Sequence, residues 1–458
     1  MSERFAVRPS PLISSTVLAS LAAAVAGLAS AGCAVDQAKE VETYRKVVDG
    51  ETPPYIPRFE PGEELDLQRA MHLTNLHNEN IALRGESYLQ ALIDENRAFA
   101  AFLPQFNLAP SFNASHATGG IGTNTSTLVP ITGSINIFHG LRDVSTSASK
   151  AATTESNRAL LLDEQATLML SVAQTFYTVL RAEQSTDVLQ SSLKLQAERL
   201  RDTRARLKLG IAKPLDVAQT EADEAATQVS LLQSLSDARN GRATLAFLMG
   251  VPAVDGKLID RFETPAETAP REELEAIAKG TREDMLAARS TRAAARHDVD
   301  TAIGEYYPTI NLSASYILEQ SPPLGSVWSL ALTGLQPIFS AGLIEADVRT
   351  AWSRFRQAQL NESLVERQIA EDVQIAYENL ETSHKRIEQL QREVVAAQRA
   401  YDLSDRSYQL GGASNLDRLT AQNTLLNSQL QLTSELFNLK VFYLDLVRVT
   451  GQSLIPSP

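Results

Sequence analysis

Two stretches of this chain are too long to be ordinary globular helices. Leu141–Leu209 and Leu343–Leu410 each run without a glycine or a proline. In the first, Leu160, Leu161, Leu168, Val172, Phe176, Val179, Leu180, Leu189, Leu193, Leu200 and Leu207 recur at helical spacing. Helices of globular domains usually run about 8–20 residues, so a pattern this long predicts a coiled coil or a tall bundle. At about 1.5 Å per residue it stands about 100 Å high. Arg158, Asp163, Glu164, Arg181, Glu183 and Asp187 punctuate it, which excludes a bilayer span and places it in water.

The surroundings of the two stretches repeat as well. Ile137-Phe138 and Ile338-Phe339 precede them, Leu209-Gly210 and Leu410-Gly411 close them, and Leu215-Asp216 and Leu416-Asp417 follow. Most of these pairs, with Gly250 and Gly451, lie 201 positions apart (138 to 339, 210 to 411, 216 to 417, 250 to 451), the mark of an internal duplication. The 458 residues therefore read as two halves of one body rather than as separate domains.

Each half also carries a shift from period 3.6 to period 2. In Asn107–His116 and Leu128–Ile137, apolar residues (Leu108, Phe112, Ala114; Val129, Ile131, Ile135, Ile137) alternate with small polar ones, around a turn-rich loop at 119–124. The second half repeats this with Ile310, Leu312, Ala314 and Tyr316, then Trp328, Leu330 and Leu332, around Pro322-Pro323 and Gly325. Four strands of about 10 residues, apolar on one side and small-polar on the other, are the pattern of a transmembrane β-barrel. A half-buried soluble sheet has two such faces as well, but helices too long to fold back over the strands favour a lipid-facing role. Four cannot close, and an open edge in lipid leaves backbone groups unpaired at several kcal/mol each. Two copies give eight strands, whose interior side chains fill; three give twelve, and size and chemistry favour three.

Leu65–Phe102, tolerating Gly85, and Glu272–Tyr306 read as further helices, and Pro214–Met249 and Asn415–Val449 as return helices about half as long as the main ones. Stacked end to end, a short helix and a return helix match a long helix in height. The expected division is a signal peptide at 1–32, a Pro-rich tether at 33–64, one repeat at 65–250, a connector at 251–271 around the waist, a second repeat at 272–451 and a tail at 452–458.

The N-terminus reads as an export signal: Arg4 and Arg8, an apolar run over Leu12–Ala31, and small residues for cleavage. The single cysteine, Cys33, follows it. Ala31-Gly32-Cys33 resembles the bacterial lipobox, with Ser30 where that motif has leucine, and points to lipid attachment (palmitate) at Cys33. Ordinary cleavage after Ala31, leaving a free thiol, is the other reading. The net charge of −13, with both signs mixed along the helices, argues against nucleic acid. No phosphate-binding loop, nucleophile elbow or HExxH is present, and His72 and His77 are five apart rather than four. No catalytic residue, metal site or cofactor is expected, and the chain does not read as an enzyme.

The segments Leu207–Gln219 (LKLGIAKPLDVAQ) and Tyr408–Gln422 (YQLGGASNLDRLTAQ), with the long helices, the paired hairpins and the duplication, resemble the TolC family of outer-membrane efflux proteins from Leu65 to Gly451. Cys33 matches its lipid-anchored, OprM-like branch. The resemblance implies a mainly α fold with a membrane β-barrel: a long antiparallel helical barrel, four β-strands per protomer, and a twelve-stranded barrel shared by a homotrimer. It implies an outer-membrane channel extending into the periplasm, in a tripartite efflux or type I secretion system. Such a channel passively exports what an inner-membrane transporter delivers through a periplasmic adaptor protein. It assigns a periplasmic gate to Asp417, Asp216, Tyr408 and the neighbouring Arg418, and adaptor contact to Gly210 and Gly411. The family's second gate aspartate is Thr420 here, and a locking arginine is Ala413. Arg418 is expected to neutralise part of the aspartate ring or to pair with Asp216. Helix capping is the plain alternative for Asp216 and Asp417. A non-transporting, envelope-spanning coiled-coil structural or adaptor lipoprotein is the alternative for the whole chain.

Overall fold

The computed structural model describes residues 35–50, 59–60, 62–116, 123–265, 268–323 and 325–454. Cys33 and the export signal lie outside the described residues. The chain divides into an N-terminal unit ending at Thr43 and a body from Tyr44 onward. In the first unit, Asp36 Oδ1 accepts from Ala38 N at 3.1 Å and caps the start of α1 (Gln37–Asp49).

The duplication is visible element by element. In the first half, β1 (Leu65–Asp66), α2 (Leu67–His77) and α3 (Glu79–Ala100) lead to strands β2 (Gln105–Leu108), β3 (Ser111–His116) and β4 (Thr123–His139). Helices α4 (Arg142–Lys208) and α5 (Pro214–Leu248) follow. After β5 (Leu258–Ile259), the second half holds α6 (Arg271–Thr281), α7 (Glu283–Gly304), β6 (Thr309–Ser321), β7 (Trp328–Leu335), α8 (Leu343–Gln409) and α9 (Asn415–Val449). The long helices α4 and α8 are 67 residues each, and α5 and α9 are 35 each. Both pairs are offset by 201 positions (142 to 343, 214 to 415). Before the hairpins the offset is 204 (67 to 271, 79 to 283), so the first hairpin region is longer by the difference.

The structure corrects one feature of the helical reading: Leu65–Phe102 and Glu272–Tyr306 are each two helices. The chain leaves helical geometry for one residue, Asn78 (ψ 127°) in the first half and Arg282 (ψ 131°) in the second. Asn78 replaces the lost turn with side-chain bonds. Its Oδ1 accepts from Asn80 N at 2.9 Å and its Nδ2 donates to Leu248 O at 2.8 Å, so the start of α3 and the end of α5 are satisfied together. Neither break carries a proline or a glycine, and the apolar spacing continues across it.

The helices form a layer with two levels. Near the sheet, α3, α4, α7 and α8 lie side by side; toward the far end the order is α5, α4, α9 and α8. The long helices run through both levels and the short ones meet at the waist. There the main core forms from Leu65, Met71, Ile81, Phe176, Leu245 and Met249, and a second cluster from Leu274, Met285, Ile369, Val373 and Leu446. Gly85 belongs to this core for a steric reason: the Tyr44 ring covers it so closely that a Cβ would come within 2.3 Å.

Residues 251–265 cross the waist. Leu258 pairs with Leu65 in a parallel bridge, and Arg242 Nη1 donates to Val254 O and Gly256 O at 2.8 and 2.7 Å. Lys440 Nζ donates to Asp260 Oδ2 and Phe262 O at 2.5 and 2.6 Å. Among the described residues no helix is long and apolar enough to cross a membrane.

Candidate functional site

The chain carries two sites that a long helical layer does not need for its own stability: a sheet at one end and a pair of tight turns at the other. In the sheet, β2 and β3 both pair antiparallel with β4, forming one interrupted strand. The interruption falls at Ala109-Pro110, where Ala109 N still reaches Pro130 O at 3.1 Å. β4 pairs with β6 and β6 with β7, so the two hairpins join into one sheet four strands wide.

The register sorts side chains by chemistry. Directly opposed residues of antiparallel neighbours share a face. Phe106–Gly133–Ala314–Leu330, Leu108–Ile131–Tyr316–Trp328 and Ile135–Leu312–Leu332 form rows on one side. Asn107–Thr132–Ser315–Ser329, Gln105–Ser134–Ser313–Ala331 and Asn136–Asn311–Thr333 form rows on the other. Among the described residues nothing covers the apolar face: Phe106 is 73% exposed, Trp328 68% and Leu332 66%. In water this face is a large unpaid exposure; against lipid it is in its own solvent. Among the described residues no strand lies beside the outer edges of β2/β3 and β7.

At the far end, α4 and α8 stop at glycines. Gly210 (φ +72°) and Gly411 (φ +81°) adopt the left-handed conformation that L side chains avoid, and a Cβ at either would meet nothing within 4 Å. Backbone strain alone therefore accounts for glycine here. Ile211 N and Gly412 N donate back to Arg206 O and Ser407 O at 2.9 and 2.8 Å, tying off carbonyls of the last turns. The return helices then open on capped starts. Asp216 Oδ2 accepts from Lys213 N at 2.9 Å. At α9 the capping is reciprocal: Ser414 Oγ accepts from Asp417 N at 3.1 Å, and Asp417 Oδ2 accepts from Ser414 N at 2.9 Å. Asp417 is exposed. Bonds from the Ser414 hydroxyl and then the Ser414 amide hold its carboxyl below the usual carboxylate range.

Behind these turns lies a clasp joining all four helix ends. Arg418 on α9 is 1% exposed. Its guanidinium lies 4.0 Å from the ring centre of Tyr408 on α8, with Arg206 of α4 also over that ring at 5.1 Å. Arg418 Nη2 donates to Asn415 Oδ1 at 2.8 Å and to Thr203 Oγ1 of α4 at 3.4 Å. Asn415 in turn donates to Asp216 O and Thr220 Oγ1 of α5 at 3.1 and 3.3 Å. Above the clasp, Arg199 of α4 bonds both Asp405 and Tyr401 of α8. Arg418 makes no described ion pair, and its Nε is buried without a partner. Burial and then repulsion from Arg199 lower its pKa, yet a guanidinium stays charged at neutral pH.

The structure thus brings Tyr408, Arg418 and the backbone of Asp216 together and leaves Asp417, Gly210 and Gly411 at the surface. Arg418 pairs with neither Asp216 nor Asp417, contrary to the sequence expectation. One residue on from Asp417 is about 100° around the helix, which turns Arg418 into the packing between helices. Both aspartates cap their helices. Asn415 and Thr203, which complete the clasp, carried no sequence signal beyond ordinary polarity.

A lipid-facing sheet set on a helical layer about 100 Å tall, with its strand edges open, defines a channel-forming outer-membrane subunit. The comparisons agree. The family model described as outer membrane efflux protein matches residues 88–251 and 276–452, and the chain belongs to that family; its role is that of an outer-membrane efflux channel. It is 27% identical over 399 residues to the outer membrane efflux protein BepC of Brucella suis biovar 1 (strain 1330), covering 83% of this chain and 84% of BepC. Its fold is that of the outer-membrane channel OprN, with a TM-score of 0.77 at 19% identity over 85% of this chain and 91% of OprN. VceC of Vibrio cholerae superposes with a TM-score of 0.75 at 19% identity, over 84% and 96%.

Proposed function

We propose that three copies of this chain close a twelve-stranded barrel in the outer membrane and a continuous helical duct below it. Through this duct substrates leave passively, delivered by an inner-membrane transporter through a periplasmic adaptor. The observation that carries this reading is the register of the sheet. Across residues 105–108, 131–136, 311–316 and 328–333 one face is apolar and the other mostly small and polar, so a closed barrel has lipid outside and a wettable bore inside. Closure needs partners for the edges of β2/β3 and β7, which a second copy supplies by strand addition. A non-transporting strut has no use for such a sheet.

Residues 1–32 act as the export signal and 33–64 as the tether, with lipid attached at Cys33. Residues 65–250 and 272–451 are the two repeats, joined by the connector 251–271. The turns form the periplasmic gate. Asp417 supplies its exposed charge, Arg418, Tyr408 and Asp216 its internal clasp, and Gly210 and Gly411 the exposed bends on which an adaptor docks.

The test is ion current from the purified protein in a planar bilayer, paired with Asp417→Ala. Discrete conductance steps are expected, with weaker cation preference or higher basal conductance in the variant. Unchanged selectivity and gating in Asp417→Ala overturns the gate assignment. Silence from both proteins overturns the duct.

A further inference from the structure

The duplication supplies an internal comparison at the waist, where matching positions of the two halves differ in charge. The first half has one partly buried carboxyl of its own, Asp49, bonded by Asn75 with Arg45 and His72 acting on it. At the first break the chain places Asn78 and Asn80, with Ser171 on α4 and Thr244 and Phe247 on α5. At the matching positions of the second half stand Arg282 and Asp284, Asp372 on α8, and Asp445 and Arg448 on α9. Arg282 is buried and bonds Asp284 with Nε and Nη2 (3.0 and 2.6 Å) and Asp372 with Nη1 (2.8 Å). Arg448 Nε lies 3.7 Å from Asp445 and has no hydrogen-bond partner among the described residues. Beside them is a cavity of about 190 Å³ lined by Arg282, Arg448, Gln165 and Gln452, and by two carboxylates outside these pairs, Asp163 of α4 and Glu283 of α7. Five carboxylates thus surround Arg282 and Arg448 in a partly buried joint, with Arg158 as a further cation acting on Glu283. Farther along α4, Glu155, Arg158 and Glu164 also face it.

We propose that the second-half waist is a proton-responsive joint: mild acid tightens the packing of α7 and α9 against α4 there more than it changes the first-half waist. Surplus carboxylates repel one another across this partly buried cavity, and a proton removes part of that repulsion without disturbing Arg282 and its two partners. Burial pushes Asp163, Glu283 and Asp445 above the usual carboxylate range. The sign follows. A carboxyl with a raised folded-state pKa destabilises the joint above that pKa, and the penalty fades as pH falls through it toward the unfolded value.

The experiment is amide hydrogen exchange on the full-length protein in detergent at about pH 7.5 and about pH 5.5, corrected for the intrinsic pH dependence of exchange. Peptides covering 283–290 and 445–452 are expected to gain several-fold protection in acid relative to 79–86 and 244–251. The double variant Asp163→Asn, Glu283→Gln is expected to show the protected state at both pH values. Equal responses of the two halves in the wild-type chain overturn the proposal, as does a variant that keeps the full pH response. The wild-type comparison stands by itself if the variant fails to fold.

Discussion

Arg418 offers the sharpest test of how the tip is held, because its volume and its charge push in opposite directions. The side chain is 1% exposed and makes no described ion pair, with Asp405 and Asp202 acting on it only through space. Replacing it with methionine removes the cation–π contact with Tyr408, worth about 2 kcal/mol when desolvated. It also strands Asn415 Oδ1, at about 1–3 kcal/mol. Against these losses, a desolvation penalty of several kcal/mol disappears, so Arg418→Met is expected to leave the tip within about 1–2 kcal/mol of its present stability. Arg418→Ala makes the same electrostatic changes and adds a cavity of the kind that costs about 2–5 kcal/mol. The difference between the two variants isolates packing, at about 3 kcal/mol, or roughly 100-fold in the population of opened tips. Lys208 is exposed at the end of α4, so tryptic cleavage after it in the folded protein reads that population when reclosing is fast. Arg418→Ala should be nicked roughly 100-fold faster than Arg418→Met. Equal rates would refute the packing reading. A methionine variant nicked more than about tenfold faster than the unmodified chain would show that the guanidinium's bonds outweigh its burial.

The sheet and the turns give two further expectations. Leu330→Arg, on the apolar face opposite Ala314, should cost about 2–4 kcal/mol at the membrane midplane, while Ser315→Arg, on the other face, should be tolerated. The yield of assembled protein in the outer membrane separates them, and equal loss would reverse the assignment of faces. Gly411→Ala should destabilise the tip by about 1–2 kcal/mol through its left-handed backbone, visible in the same cleavage assay. An export defect larger than that shift predicts would mark the exposed turn as a docking surface.

Periodicity, punctuation and repetition are local signals, and they carried most of this fold. Helices as long as Leu141–Leu209 and Leu343–Leu410 were readable because nothing in 69 and 68 successive residues interrupts them. The strands were readable because a period of 2 cannot be mistaken for 3.6 over 10 residues. Homologous halves declared themselves at the turns, where glycine and aspartate are constrained by backbone geometry and capping. The breaks at Asn78 and Arg282 were invisible for the converse reason. A single residue leaving helical ψ disturbs neither the apolar phase nor the composition, and what stabilises it, Leu248 O or Asp372, lies on another helix.

The sequence by itself therefore determined the parts: two long helices per chain, shorter ones to accompany them, strands with two chemical faces, and turns that need glycine. Tertiary structure alone decided which parts meet. The pairing of β4 with β6 joins segments about 180 residues apart, and no local pattern selects one strand's partner over another's. Likewise, Asp417 and Arg418 are neighbours in the chain, yet one is left in water and the other buried against Tyr408, because a helix turns successive side chains about 100° apart and only the packing of four helix ends fixes which direction is inside.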